Sequence, residues 1–215
     1  MSSPPEPLRA PGRTVIVMDI VGGDARGGNE GRDGSAGTTA AGADTGGVAV
    51  LLVPWAEDDL WLLRRNNTPE MTAHMGGPES EEKLLARHRR YLDLESGRMY
   101  RVTLEGDGQT VGTIGFWERE WRGEAVWETG WAVLPEFQGR GLASRAARAV
   151  IGAARAAGRH RYLHAFPKTS HPASNAVCRK AGFSLLGEVA FEYPKGNPVV
   201  SNDWRVDLEA DLDEE

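Results

Sequence analysis

Trp127-Glu128-Thr129-Gly130-Trp131-Ala132-Val133-Leu134-Pro135-Glu136-Phe137-Gln138-Gly139-Arg140-Gly141-Leu142-Ala143 is the stretch that decides how this chain folds. Its first half reads as a strand ended by a proline, and Gln138 to Ala143 form a glycine-bearing turn that leads into a long alanine-rich helix. A strand, a glycine turn and a helix N-terminus in that order leave main-chain N–H groups unsatisfied and pointing the same way, with the positive end of the helix dipole behind them. Such a bend is an anion cradle. Gly139 and Gly141 have a physical task in it, because a side chain at either position would hold a phosphate away from the main chain and penalise a positive φ.

Gln138, Gly139, Arg140, Gly141, Leu142 and Ala143 fit Gln-x-x-Gly-x-Ala. With this motif the chain resembles the GNAT superfamily of N-acetyltransferases, whose pyrophosphate-binding signature is Arg/Gln-x-x-Gly-x-Gly/Ala after the fourth strand. Gly130 to Phe137 is similar to the family's lead-in, an apolar strand ended by a proline. Asn175-Ala176-Val177-Cys178-Arg179-Lys180-Ala181-Gly182-Phe183 is similar to its helix that closes on Lys/Leu-Gly-Phe. Asn67 to Pro78 looks like the segment between the first two helices of the ribosomal-protein-acetylating type, where it helps wall the acceptor site; it reads equally as a connector.

The chain of 215 residues suits one domain with a single core, and 40% apolar residues with seven tryptophans are ample to build it. No run approaches the ~20 apolar residues of a membrane span. No basic start followed by an apolar segment marks a secretory signal, so the expected location is the cytoplasm. One cysteine excludes an internal disulfide framework and a multi-thiolate zinc site. His160, His164 and His171 fall on different elements, so no metal is expected. The formal net charge of −6 disfavours a nucleic-acid partner and weakly favours a cationic acceptor such as an amine.

Taken in order, residues 1–47 are mostly Pro, Gly, Ala, Asp and Thr and read as a low-complexity, largely disordered extension. Within it Thr14 to Val21 is a β-branched run that would add one strand to a sheet edge. Val48 to Val53 reads as a strand buried on both faces, followed by a helix from Ala56 to Asn66 and a second from Pro78 or Glu79. Three strands follow, Arg98 to Glu105, Thr110 to Arg119 and Glu124 to Val133, with turn residues between them that argue for antiparallel hairpins. The helix from Gly141 to Gly158, a strand from Arg161 to Phe166, a helix from Pro172 to Ala181 and strands Phe183 to Tyr193 and Asn202 to Leu208 complete the set. The resulting fold class is α+β, a mixed, mostly antiparallel sheet flanked by helices, matching the family fold over residues 48–209 with an acidic tail at 210–215.

Transfer of an acetyl group from a thioester to an amine needs a place for the carrier's phosphates, a donor for the carbonyl oxyanion, a base for the ammonium proton and, optionally, an acid for the departing thiolate. The turn supplies the first through main-chain N–H groups of Gly139, Arg140, Gly141, Leu142 and Ala143. Arg140, with Arg145 or Arg148 beyond it, would add charge toward coenzyme A; a solvated helix face is the plainer reading of the latter two. The resemblance implies that main-chain groups of Ala132, Val133 and Leu134 pair with the pantetheine arm. It also implies a general base at Glu128, acting on the amine directly or through water, whose carboxyl, set between Trp127 and Trp131, would be partly desolvated and raised in pKa. The plain alternative is an ordinary strand glutamate. Asn175 stands where the family often bonds pantetheine or the splayed strand, and otherwise reads as a polar contact at a helix N-terminus. Cys178 stands where many members carry a tyrosine that protonates the leaving thiolate, and otherwise reads as a small core residue.

The function these readings imply is an acetyl-CoA-dependent N-acetyltransferase acting by direct ternary-complex transfer, without a metal. The acceptor would be an amine-bearing small molecule or a protein N-terminus, and subunit pairing, common in the family, stays open as a homodimer. A non-catalytic acyl-CoA-binding sensor on the same fold is the alternative. A P-loop nucleotide-binding protein is disfavoured because the turn lacks Gly-Lys-Ser/Thr.

Overall fold

The computed structural model describes residues 49–192 and 198–210. The glycine-rich extension, the candidate strand at Thr14 to Val21 and residues 211–215 of the acidic tail lie outside the described residues. Four α-helices are α1 (Leu60–Asn66), α2 (Glu81–Leu92), α3 (Leu142–Ala157) and α4 (Pro172–Ala181). Seven strands are β1 (Val50–Pro54), β2 (Gly97–Leu104), β3 (Thr110–Trp121), β4 (Glu124–Val133), β5 (Tyr162–Ala165), β6 (Ser184–Glu192) and β7 (Pro198–Asp207). They form one sheet in the order β1-β2-β3-β4-β5-β7-β6, antiparallel throughout except where β4 meets β5.

Local chemistry sets the registers. Arg122 and Gly123 both adopt positive φ, 53° and 84°, the backbone of a two-residue primed turn, and this fixes Trp121 opposite Glu124. Each later pair in the hairpin then follows, with Arg119 opposite Val126 and Trp117 opposite Glu128. Residues paired in this way share a face of the sheet. Met99, Arg101, Thr113, Gly115, Trp117 and Glu128 therefore lie on one face, and Phe116, Trp127 and Trp131 on the other.

The first of these faces is covered on the β1–β3 side by α1 and α2. Asp59, just ahead of α1, accepts from Arg101 Nη1 at 2.8 Å and from the main-chain N–H of Ala56 at 2.9 Å. The opposite face carries α3, whose buried stripe is Leu142, Ala146, Ala147, Val150, Ile151 and Ala154. Its alanines let the helix lie close to β1, β3 and β4. Two expectations are corrected. The first strand is an edge strand and not one buried on both faces, since Leu51 is 47% exposed. Pro198 to Ser201, left between the last two expected strands, opens β7 and pairs with β6, where the β-branched Val199 and Val200 suit a strand. No helix among the described residues is long and apolar enough to cross a membrane.

The feature that positions a site is a split in the sheet. β4 and β5 pair only at Trp127 with Leu163 and at Glu128 with His164. Beyond that point β4 stays with β3 as far as Val133. The chain after β5 stays instead with β7, through Lys168 bridged to Ser201, Thr169 N–H on the Val200 carbonyl at 3.0 Å and Asn202 N–H on the Pro167 carbonyl at 2.8 Å. The two halves diverge into a V with β4 as one wall and the β5–α4 connection as the other.

Candidate active site

The glycine turn stands at the open end of the V. Gly139 and Gly141 take φ of +74° and +73°, and a Cβ built on either meets no atom within 4 Å. The space before the main chain is therefore open, as an anion cradle requires. The Arg145 N–H bonds the Gly141 carbonyl at 3.2 Å, so the amides of Leu142, Ala143 and Ser144 precede the helical ladder. Gln138 turns its amide inward and donates to the Val133 carbonyl at 2.9 Å, which ties the turn to the end of β4. That bond engages its side chain in the shape of the bend. Arg140 is exposed, with its guanidinium 5.5 Å from the Phe137 ring centroid. Arg148 is committed elsewhere, donating to the Lys180 carbonyl at 2.6 Å and linking α3 to the end of α4.

Along β4 the expected main-chain groups are displaced by one residue. Leu134 N–H donates to the Val111 carbonyl at 2.8 Å, and the Ala132 carbonyl points at β3, 1.9 Å from where a Cβ on Gly112 would stand. Both residues spend their main chain on the β3 ladder. Because consecutive residues of a strand point their main-chain groups to alternate sides, the groups facing the V are those of Trp131 and Val133. Of Ala132, Val133 and Leu134, only Val133 has the expected orientation. The parity of a strand against its neighbour is set by the hairpin, and nothing in the run Trp131 to Leu134 declares it.

Glu128 closes the apex of the V. It is 1% exposed, and Oε2 accepts from Arg119 Nη1 at 2.7 Å. Burial pushes its carboxyl above the usual carboxylate range, and hydrogen bonds from Arg119 and Trp117 pull only partly the other way. The expected direction holds, but the cause differs: Trp127 and Trp131 lie on the other face. Desolvation comes from the face shared with Trp117, where Arg119 itself sits over the rings of Trp121 and Phe166 at 5.0 and 4.5 Å. An amine has no direct approach to a carboxylate so enclosed.

The second wall is organised by Asn175. Its Nδ2 donates to the carbonyls of Lys168 at 2.9 Å and His171 at 2.8 Å, and its Oδ1 accepts from Asn202 Nδ2 at 2.6 Å and Trp204 Nε1 at 2.8 Å. With both donors and both acceptor positions engaged, the amide is a clamp joining α4, the β5–α4 connection and β7. Cys178 is wholly buried in the apolar core, which supports the packing reading of that residue. α4 ends at Gly182 in the left-handed region at φ +94°, capped by Phe183 N–H on the Cys178 carbonyl at 3.0 Å.

The segment between α1 and α2 crosses the mouth from one wall to the other. Met71 Sδ lies 3.5 Å from Gln138 Nε2 on the turn, while the His74 ring lies 4.4 Å from that of His171 at the start of α4. Sequence reasoning missed Arg119, the main chain of Trp131 and this His74–His171 contact. Arg119 was within reach, because the Arg122–Gly123 turn places it diagonally across the hairpin from Glu128, and the same count fixes the parity of Trp131; the His74–His171 contact depends on packing. Among the described residues no group of three or more His, Cys, Asp or Glu could hold a metal ion.

A family model described as an acetyltransferase (GNAT) domain matches residues 49–184. No curated protein matches. Among solved structures, a GNAT-family acetyltransferase from Bacillus anthracis superposes with a TM-score of 0.64 at 20% identity, over 77% of this chain and 98% of its own. An acetyltransferase from Salmonella typhimurium that modifies the N-terminal serine of a 50S ribosomal subunit protein gives 0.59 at 20%, over 74% and 95%. A spermidine N-acetyltransferase from Vibrio cholerae in complex with CoA and spermine gives 0.61 at 15%, over 74% and 95%. These likenesses establish the fold, and the family model, which spans more than half of the residues, establishes that the chain belongs to the GNAT acetyltransferases.

Proposed function

We propose that the chain moves an acetyl group from acetyl-CoA to a primary amine by direct transfer, with donor and acceptor bound together. The observation that carries this reading is the V between β4 and β5 with an open glycine turn at its end. The main-chain amides from Gly139 to Ala143 hold the pyrophosphate, with Arg140 adding charge at the surface. The main-chain groups of Trp131 and the N–H of Val133 on β4 pair with the pantetheine arm and direct the thioester toward the apex. Bound acetyl-CoA supplies the activated acyl group; the protein supplies position and a polarised carbonyl. An amine acceptor is supported by family membership and by structural neighbours that act on an N-terminal serine and on spermidine.

The test is thiol release from acetyl-CoA in the presence of a panel of amines: a peptide with a free N-terminal serine, spermine, an aminoglycoside and single amino acids. Acetylated product from at least one supports the reading. Tight CoA binding by calorimetry with no product from any amine favours the sensor instead. That second reading draws on one specific observation: Glu128 and Cys178, the two side chains nominated for proton transfer, are both buried.

A further inference from the structure

Direct transfer needs a group that takes a proton from the acceptor ammonium, because only a neutral amine has the lone pair to attack a thioester. Glu128 is enclosed and ion-paired. The half-buried imidazole at the mouth is His74. It stands on the segment that reaches the phosphate turn through Met71 and the second wall through His171. Among the described residues neither ring nitrogen of His74 is engaged in a hydrogen bond.

We propose that His74 is the general base of the transfer. Resting on the transferase reading, the step runs as follows: a neutral ring nitrogen of His74 takes one proton from the acceptor ammonium. The freed amine attacks the thioester carbonyl carbon, a C–N bond forms and the C–S bond breaks. The second proton of the amine leaves with the departing sulfur as the free thiol, and the imidazolium returns its proton to solvent from the exposed edge of the ring.

The surroundings suit this task. His171 accepts the Ser174 N–H on Nδ1 at 3.2 Å, which fixes its ring at the start of α4, 4.4 Å from that of His74. Lys168, on the same wall, is the cation that faces His74. Burial first and Lys168 second hold the imidazole below its usual pKa. It is therefore uncharged near neutrality and sheds a captured proton readily. Glu128 and Arg119, at the apex, are paired with each other.

The experiment compares wild type with His74→Gln, using acetyl-CoA with the N-terminal serine peptide and with spermine, following kcat/KM from pH 6 to 10 beside CoA affinity and melting temperature. The expected result is a fall of about 10²–10⁴-fold near neutral pH, the usual contribution of general base catalysis. The gap should close at alkaline pH, where the amine loses its proton unaided, with CoA affinity and melting temperature unchanged. Retention of the wild-type rate and pH profile by His74→Gln overturns the proposal while leaving the transferase reading intact. So does a loss of rate matched by a loss of CoA affinity or melting temperature, or a pH limb that vanishes in Glu128→Gln but persists in His74→Gln. A wild type that binds CoA yet acetylates no amine overturns the transferase reading itself, and His74 with it.

Discussion

Glu128 Oε2 lies 2.7 Å from Arg119 Nη1 across the β3–β4 hairpin, with the two side chains 1% and 8% exposed. A buried carboxylate and a buried guanidinium make a costly pair to assemble and a costlier one to break, since the survivor keeps its charge without a partner. Arg119→Met should accordingly destabilise the protein by about 3–5 kcal/mol near neutral pH in urea titration. Adding Glu128→Gln to that variant should return most of the loss. A double variant no more stable than Arg119→Met would mean that packing of the Arg119 stem over Trp121 and Phe166, and not its charge, is what matters.

The same site gives stability a pH dependence of definite sign. Burial raises the Glu128 carboxyl in the folded state above its unfolded value. The folded protein therefore binds this proton more tightly, and the stabilisation is complete below the ordinary carboxylate range and is lost as pH rises through the raised value. Surface carboxylates act oppositely: Asp207, lowered chiefly by its hydrogen bond from Arg161, contributes above its unfolded pKa and is lost on acidification. Glu128→Gln, which keeps an oxygen for Arg119, should remove only the first component. Relative to the variant, the wild type should lose melting temperature as pH rises from acid toward neutrality. Parallel curves across that range would contradict the assignment.

How much of this could be read from the chain depends on whether a residue's environment is local. The glycine turn, α3 and the α4 cap at Gly182 are local, and their chemistry stands in consecutive residues. The β3–β4 hairpin is nearly so: the two-residue turn at Arg122–Gly123 fixes every pair behind it, and counting back from it would have found Arg119 beside Glu128. Three things were out of reach. The split between β4 and β5 exists because the chain after Ala165 keeps pairing with β7, 31 to 35 residues away in sequence. The contact of His74 with His171 joins two segments 97 residues apart across the mouth of the V. Asn175 is placed at a pantetheine or strand contact by resemblance alone, and nothing near it in sequence shows that its four partners lie in the β5–α4 connection and in β7.

That clamp can be tested directly. Asn175→Ala removes four hydrogen bonds and strands Trp204 Nε1 in a buried region, while the carbonyls of Lys168 and His171 keep the main-chain N–H groups of His171 and Asn175. With each neutral bond worth about 1 kcal/mol and the stranded indole adding to that, a loss of roughly 3–5 kcal/mol is expected in denaturant titration. Coenzyme A affinity should fall only insofar as the second wall loosens. A variant of wild-type stability with sharply weakened coenzyme A binding would reverse the assignment and make Asn175 a ligand contact.

Gly141 offers the most economical test of the cradle. Its φ of +73° leaves a substituted side chain strained, yet a Cβ there meets nothing within 4 Å, so the added atoms project into the space assigned to the pyrophosphate. Gly141→Glu should cost roughly 1–2 kcal/mol of stability from the left-handed backbone alone. Its carboxylate should repel the diphosphate strongly enough to lower coenzyme A affinity by about 100-fold or more, a like-charge cost of several kcal/mol. Turnover of acetyl-pantetheine, which has the thioester arm without the diphosphate, should be nearly unchanged in the same variant. Equal losses with both donors would indicate a collapsed groove, and calorimetry showing wild-type coenzyme A affinity would place the phosphates somewhere other than this turn.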